Sequence, residues 1–208
     1  DALAASDRRV GVTADGALSR PAEDCVLLTF DDGGISARTA IAGRLDARGW
    51  RAHVFMPTDL IGAPGFLGKS DLLALHAGGH VIGSHSASHP TRMSRLGPGE
   101  LREEWHRSVR VLEDLLGAPV RMASVPGGYY ARRVAEAAAG AGIEVLFTSE
   151  PVTGVAHVAT CTVLGRFTLR QRHSARSRTP SSSRMAATRR FRRRWRRPRV
   201  RCSSAERS

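Results

Sequence analysis

Cys25-Val26-Leu27-Leu28-Thr29-Phe30, followed at once by Asp31-Asp32-Gly33-Gly34, is the stretch on which the fold turns. A run this apolar reads as a strand covered on both faces, as in a parallel sheet wrapped by helices. The glycines behind it permit a tight turn. Outward from this point, helical and extended patterns alternate. Ser36 predicts the N-cap of a helix reaching Arg48, with Ile41 and Leu45 on one face and Gly49 as its stop. A strand is expected over 52–56. Ser70 caps the next helix, which carries Leu72, Leu73 and Leu75, and a strand over 81–84 ends directly before His85. The spacing of Leu101, Trp105, Val109, Leu112 and Leu116 predicts a long helix over 100–116, bracketed by Pro98 and Pro119. A strand over 122–125 runs into Pro126-Gly127-Gly128. A helix over 132–141 and strands over 145–148 and 160–164 complete the series.

This order specifies an α/β domain with mostly parallel strands, a barrel or an open sheet. In both, ligands bind at the C-terminal ends of the strands. Asp31-Asp32, the segment His85-Ser86-Ala87-Ser88-His89, and Pro126-Gly127-Gly128 each follow a predicted strand immediately. All three are therefore expected on one face.

Composition bounds the rest. The 208 residues carry a formal charge of +13, and the excess is confined to one end. Residues 170–208 hold 15 Arg, no Lys and the single acid Glu206, which leaves residues 1–169 at a net −1. The high basicity is not a property of the globular part, so nucleic acid is a partner only through residues 170–208. Cys25, Cys161 and Cys202 are too few and too scattered for a disulfide framework or a Cys-based zinc site. No run approaches the roughly 20 apolar residues of a membrane span. The first residues lack the basic-then-apolar pattern of a secretory signal, which slightly favours the cytoplasm, but the chain begins without Met, so an upstream signal removed earlier leaves the compartment open.

Imidazoles four residues apart, as in His85 and His89, project to one side of a helical turn and can grip one metal ion. Taken alone, the pair is better read as two loop histidines bonded to backbone. Asp31 and Asp32 shift the balance, because adjacent carboxylates at the end of an apolar strand need a cation or strong donors to offset their repulsion. Their other reading, solvated acids in a helix N-cap box, fits poorly after so apolar a strand. Successive strand residues point opposite ways, so one Asp can ligate while its neighbour faces substrate.

Thr29-Phe30-Asp31-Asp32-Gly33, with Gly79-His80-Val81-Ile82-Gly83-Ser84-His85-Ser86-Ala87-Ser88-His89-Pro90, closely resembles the polysaccharide deacetylases, the nodulation-protein-like carbohydrate esterase family. The likeness covers about residues 26–169. It implies a distorted (β/α) barrel, here incomplete, and metal-dependent removal of N- or O-acetyl groups from sugars, so the expected partner is a carbohydrate substrate. By position it implies that Asp32, His85 and His89 bind the metal and that Asp31 is the general base. Two imidazoles and a carboxylate leave coordination positions open, as a catalytic metal requires, and zinc is the first choice. The resemblance further implies that the oxyanion is met by a backbone N–H of Gly127 or Gly128. Here the pattern departs. The family places Arg two residues before the motif proline, whereas this chain has Ser124, and Arg121 lies too far upstream to replace it. Of the later histidines, neither His157 nor His173 has the context of the family's catalytic acid. His80 is expected to be structural, and His53, His76 and His106 to lie at the surface or on helix flanks.

The resulting division is an extension over 1–22, a catalytic domain over 23–169 and a tail over 170–208. That tail cannot form a core. One reading makes it an arm for nucleic acid or another anionic polymer, with Phe191 and Trp195 stacking between arginines. The other, preferred here, is that a shifted reading frame has replaced the barrel's final strand and helix. The chain would then be a truncated deacetylase lacking its catalytic acid.

Overall fold

The computed structural model describes residues 9–18 and 25–169, so the arginine-rich tail, with His173 and Cys202, lies outside the described residues. The described elements fall within the compact unit Asp1–Thr168. A two-stranded parallel ribbon pairs β1 (Arg9–Val10) with β2 (Cys25–Val26), and the short helix α1 (Ala14–Leu18) lies between them in sequence. The main sheet contains β3 (Thr29–Phe30), β4 (His53–Met56), β5 (Val81–Ser84), β6 (Met122–Ser124), β7 (Val145–Phe147), β8 (Val155–Val158) and β9 (Cys161–Leu164). Its order is β3-β4-β5-β6-β7-β9-β8, parallel throughout except for β8, which runs antiparallel to β9. The sheet curls into a half-barrel with β3 and β8 at its edges, which is the incomplete α/β barrel expected.

Period-two alternation assigns the two faces. Val54, Met56, Ile82, Ala123 and Leu146 meet the helices α3 (Lys69–Ala77), α4 (Pro98–Leu116) and α5 (Arg132–Gly140) in the larger core. Phe55, Met122, Val145 and Phe147 fill the inside of the curl together with Ala14. The helices bury Leu72, Leu75, Leu101, Trp105, Leu112, Val134 and Ala138, and each of the leucines and the valine contributes about 1.5–3 kcal/mol. Trp105 also donates its indole N–H to Val134 O at 3.2 Å. Helix α4 begins with Pro98 at N1 and the Glu100 carboxylate on the Gly97 N–H, and it ends at Gly117 in the left-handed conformation. Gly83 is required by close approach, since a Cβ there would stand 2.6 Å from Met122 O and from the Phe55 ring.

Several expectations are corrected. The stretch 25–30 is not one strand covered on both faces. It divides into β2 and β3, both only half-buried, because β3 has a neighbour on one side alone. The helix predicted from Ser36 opens as a π-helix over Ala37–Ala42 before continuing as α2 (Gly43–Asp46), and Ser36 itself is helical and caps nothing with its side chain. Helix α3 is capped at Gly68, whose N–H is taken by Asp71, and Leu73 faces solvent. Strand β8 carries no apolar alternation, and its first three residues are exposed, so its sequence signal is absent. His53 is fully buried rather than superficial. Its Nδ1–H donates to Leu28 O and its Nε2 accepts the Ala14 N–H, and burial holds its pKa below the ordinary histidine value. His76 and His106 are exposed. His80 is buried with Nδ1 accepting the Ala52 N–H and Nε2 3.3 Å from Asp46, a structural position.

Candidate active site

The three polar signals gather at the C-terminal ends of β3, β5 and β6, which are parallel strands of one sheet. Asp32 stands two residues beyond β3 in the left-handed conformation, φ 68°, and Gly33 follows at φ 62°. A non-glycine residue held there costs of order 1–3 kcal/mol, and such strain concentrates at functional sites. Gly33 is obligatory for space as well, since a Cβ would fall 2.0 Å from Met56 Sδ. The reversal means that Asp31 and Asp32 do not point opposite ways, as a continuing strand would make them. Both carboxylates face His85, with Asp32 Oδ1 at 3.3 Å and Asp31 Oδ2 at 3.9 Å from its Nε2.

His85 follows directly after β5 and is buried. Its Nδ1 lies 2.9 Å from Ser124 O, and because a carbonyl can only accept, Nδ1 carries the hydrogen and Nε2 presents a lone pair. That lone pair faces the Asp32 carboxylate. His89 Nε2 is 3.1 Å from the same oxygen, sealed from solvent and without a hydrogen-bond partner. The adjacent His85 imidazole, with a lesser effect of His89, keeps the Asp32 carboxyl below the usual carboxylate pKa, against the opposing effect of burial. The three ligand atoms lie within 4.8 Å of one another. Electron pairs facing each other at this range need a proton or cation between them, so the donor set fits a divalent metal.

The two imidazoles do not share a helical turn. They flank a loop in which Ser86 and His89 both have positive φ, 62° and 58°, and their ring centroids are 4.9 Å apart. Helix α4 imposes this shape. The Glu104 carboxylate accepts the N–H groups of Ala87 and Ser88 at 3.0 and 2.9 Å and the Ser88 hydroxyl at 2.6 Å. Below it, buried Ser108 bonds Ser84 Oγ at 2.7 Å, Ser84 Oγ accepts the Ser86 N–H, and Ser86 Oγ accepts the His89 N–H. Sequence reasoning passed over Glu104 and Ser108. The available signal was polarity on a helix flank adjoining Leu101, Trp105 and Leu112.

Asp31 is held differently. Arg166, just past β9, grips both carboxylate oxygens at 2.7 and 2.8 Å, and Ser124 Oγ donates to Oδ2 at 3.1 Å. No motif in the sequence singles out Arg166. It obeys the same rule as the other site residues, being a polar side chain immediately beyond the end of a parallel strand. Arg121 is at the surface, 3.5 Å from Glu144, and takes no part.

Pro126-Gly127-Gly128 forms a single 3-10 turn two residues beyond Ser124, with Gly127 and Gly128 at φ 62° and 71°. Substituting either would press a Cβ on Thr91 O or Ser149. The Gly128 N–H donates to Val125 O at 3.2 Å and so closes the turn. Exposed Tyr129 follows, with the Arg92 guanidinium 5.1 Å from its ring centroid. An open hollow of about 380 Å³ lies against Asp31 and Asp32, bounded by Phe30, Ser36 and Ile41. His157 sits on exposed β8, 3.3 Å from Thr162 Oγ1.

Residues 19–146 match the family model for polysaccharide deacetylases, which is more than half of the chain. The chain belongs to the polysaccharide deacetylase family. Among curated relatives of the family, the Bacillus subtilis (strain 168) protein YxkH, which bears a polysaccharide deacetylase name, is 28% identical over 132 residues, 64% of this chain and 47% of YxkH. The chain thus spans about half the length of that relative. Among solved structures, the Streptococcus pyogenes deacetylase PplD, determined with acetate, superposes with a TM-score of 0.66 at 22% identity, covering 77% of this chain and 74% of PplD. BC0361, a polysaccharide deacetylase from Bacillus cereus, gives 0.69 at 17% identity, covering 87% and 56%. At these identities the superpositions establish the shared fold, a distorted barrel. Among the described residues, no helix of this deacetylase-family chain is long and apolar enough to cross a membrane.

Proposed function

We propose that the chain is a divalent-cation-dependent hydrolase that removes acetyl or similar acyl groups from amino sugars or polysaccharide. The observation that carries the reading is the pairing of two unlike carboxylates. Asp32 shares a cation-sized gap with His85 and His89, while adjacent Asp31 is tied to Arg166. Asp32, His85 and His89 would hold the ion, most suitably zinc. When bound, such an ion polarises an acyl carbonyl and acidifies water, from a pKa of about 15.7 towards about 7.

The chain's own residues supply the rest. Asp31 takes the proton of the attacking water as the new C–O bond forms, and it returns that proton to the departing sugar nitrogen or oxygen as the acyl bond breaks. Oδ2 already accepts from Arg166 and Ser124, which leaves Oδ1 with the open lone pair for this proton. A backbone amide of the glycine turn is the proposed oxyanion donor, and because the Gly128 N–H closes the turn, Gly127 is favoured. The hollow beside the two aspartates is the proposed seat of the sugar.

The test couples zinc titration to acetate release from N-acetylated chitooligosaccharides. His85→Ala is expected to lose zinc and turnover together, whereas Asp31→Asn keeps zinc and loses turnover. Equal zinc content in wild type and His85→Ala would remove the basis of the assignment. Zinc binding without acetate release in the wild type would identify an inactive, truncated member of the family.

A further inference from the structure

The surface beside His89 carries positive charge that the proposed hydrolysis does not use. We infer that Arg92, backed by Tyr129, is a specificity-determining residue that receives a carboxylate on the sugar next to the acylated one, so that the substrate is an acidic glycan. The inference rests on the hydrolase reading above and names its substrate class.

Arg92 lies three residues beyond His89, on a segment, 90–97, that holds Arg92 and Arg95 and no acid. Among the described residues no carboxylate pairs with Arg92, Arg95 or neighbouring Arg133, whereas Arg132 is tied to Glu136 and Arg107 to Asp59. The Arg92 guanidinium carbon stands 5.1 Å from the Tyr129 ring centroid, and both side chains are exposed. Stacking on a ring occupies the face of a guanidinium and leaves the N–H groups at its edge in the fork that matches a carboxylate. No acid of the described chain fills that fork.

The pair is also well placed and firmly held. Thr91 O lies 3.0 Å and the Tyr129 ring 3.4 Å from where a Cβ on Gly127 would stand, so the backbone before Arg92 and the ring beneath it both border the glycine proposed as oxyanion donor. Met93 is fully buried, the Arg95 N–H closes on Arg92 O at 2.9 Å, and the Arg133 guanidinium donates to Ser94 O. On the other side the Tyr130 N–H donates to Gly128 O at 2.9 Å, and the Tyr130 ring packs against the core. Two anchored segments present the fork at little ordering cost. The hollow is lined from β3 and the turn after it, whereas Arg92 and Tyr129 follow β5 and β6, two and three strands away. That offset is roughly 10–15 Å at the usual strand spacing, so a sugar adjoining the acylated one meets Arg92.

The experiment measures acetate release by the full chain, with zinc present, from two forms of one polymer. These are hyaluronan oligosaccharides, in which every N-acetylated sugar neighbours a uronic acid, and the same oligosaccharides with their carboxyls reduced to alcohols. Wild type should favour the acidic form roughly tenfold or more in kcat/KM, and Arg92→Gln should lower that ratio roughly tenfold, through KM. Arg92→Lys should restore part of the preference, and Tyr129→Ala should lower it more than Tyr129→Phe, which keeps the ring. The arginines of 170–208 are common to every variant, so attraction by them alone leaves the ratio of Arg92→Gln at the wild-type value. That result, equal losses on both substrates as from a merely structural arginine, or a wild type without preference for the acidic form overturns the inference. Calorimetric binding of the same two oligosaccharides separates the two readings. If wild type binds them but releases no acetate, the deacetylase reading fails; a Kd ratio that falls in Arg92→Gln still upholds the acidic-glycan site, and one that does not overturns it.

Discussion

Asp31 and Asp32 are adjacent in the chain, but their carboxylates are held by two differently built regions. On the Asp32 side, both imidazoles come from one five-residue loop, and a single helix, α4, clamps that loop through Glu104 and Ser108. On the Asp31 side, Ser124 and Arg166 arrive from β6 and from beyond β9, 93 and 135 residues downstream. The first region is local and can be read as a motif. The second exists only because a curled sheet returns its last parallel strand towards its first, so that one arginine bridges the inside of the curl to Thr29 and Asp31.

The contrast can be broken most forcefully at the proposed metal ligands. His89→Ala should weaken zinc binding well beyond the roughly 10–100-fold typical of supporting residues, with far-UV circular dichroism unchanged. Glu104→Ala should fall within that 10–100-fold range, because the ligands remain but their loop loses three hydrogen bonds. Hydrogen exchange should show the Ala87 and Ser88 amides losing protection at the same time. Neither change should alter the grip of Arg166 on Asp31.

Smaller effects sharpen the other side. Ser124→Ala removes one of the donors to Asp31 and should cost about 1 kcal/mol, roughly fivefold in kcat, with zinc affinity unchanged. Strong zinc loss in that variant would mean that the two regions are not separable. A control lies at the opposite end of the strands. His53 is neutral, and its folded pKa lies below the ordinary value of 6.5, so its contribution is complete above pH 6.5 and is lost as pH falls through the folded value. Wild-type stability, followed by urea denaturation, should therefore decline on acidification below pH 6.5. His53→Phe should flatten part of that slope, lower stability near neutrality by about 1–3 kcal/mol through the stranded Ala14 N–H, and leave zinc binding intact.

Legibility in the sequence follows the same divide. Helix α4 was readable because its apolar stripe recurs every three or four residues and proline and glycine mark its ends. Strands β4 to β7 were readable because their apolar runs are bounded by turns. Strand β8 was not, since an exposed edge strand needs no apolar face. Asp31, Asp32, His85 and His89 announced themselves as polar residues after apolar strands. Their conformation did not: Asp32 takes positive φ beside Gly33, which lies against Met56, and Ser86 and His89 take it in a loop bonded to α4. The buried place of His53 was equally hidden, since it depends on Ala14 being brought to its ring.

By itself, then, the sequence determined the alternating α/β order, the family and the four residues gathered at the strand ends, because hydrophobic period and motif spacing are properties of neighbouring residues. That both carboxylates turn towards His85, and that Asp31 is locked by an arginine from the far strand, was decided by tertiary structure alone. Those choices depend on sheet curl and on distances between residues that the chain keeps more than ninety positions apart.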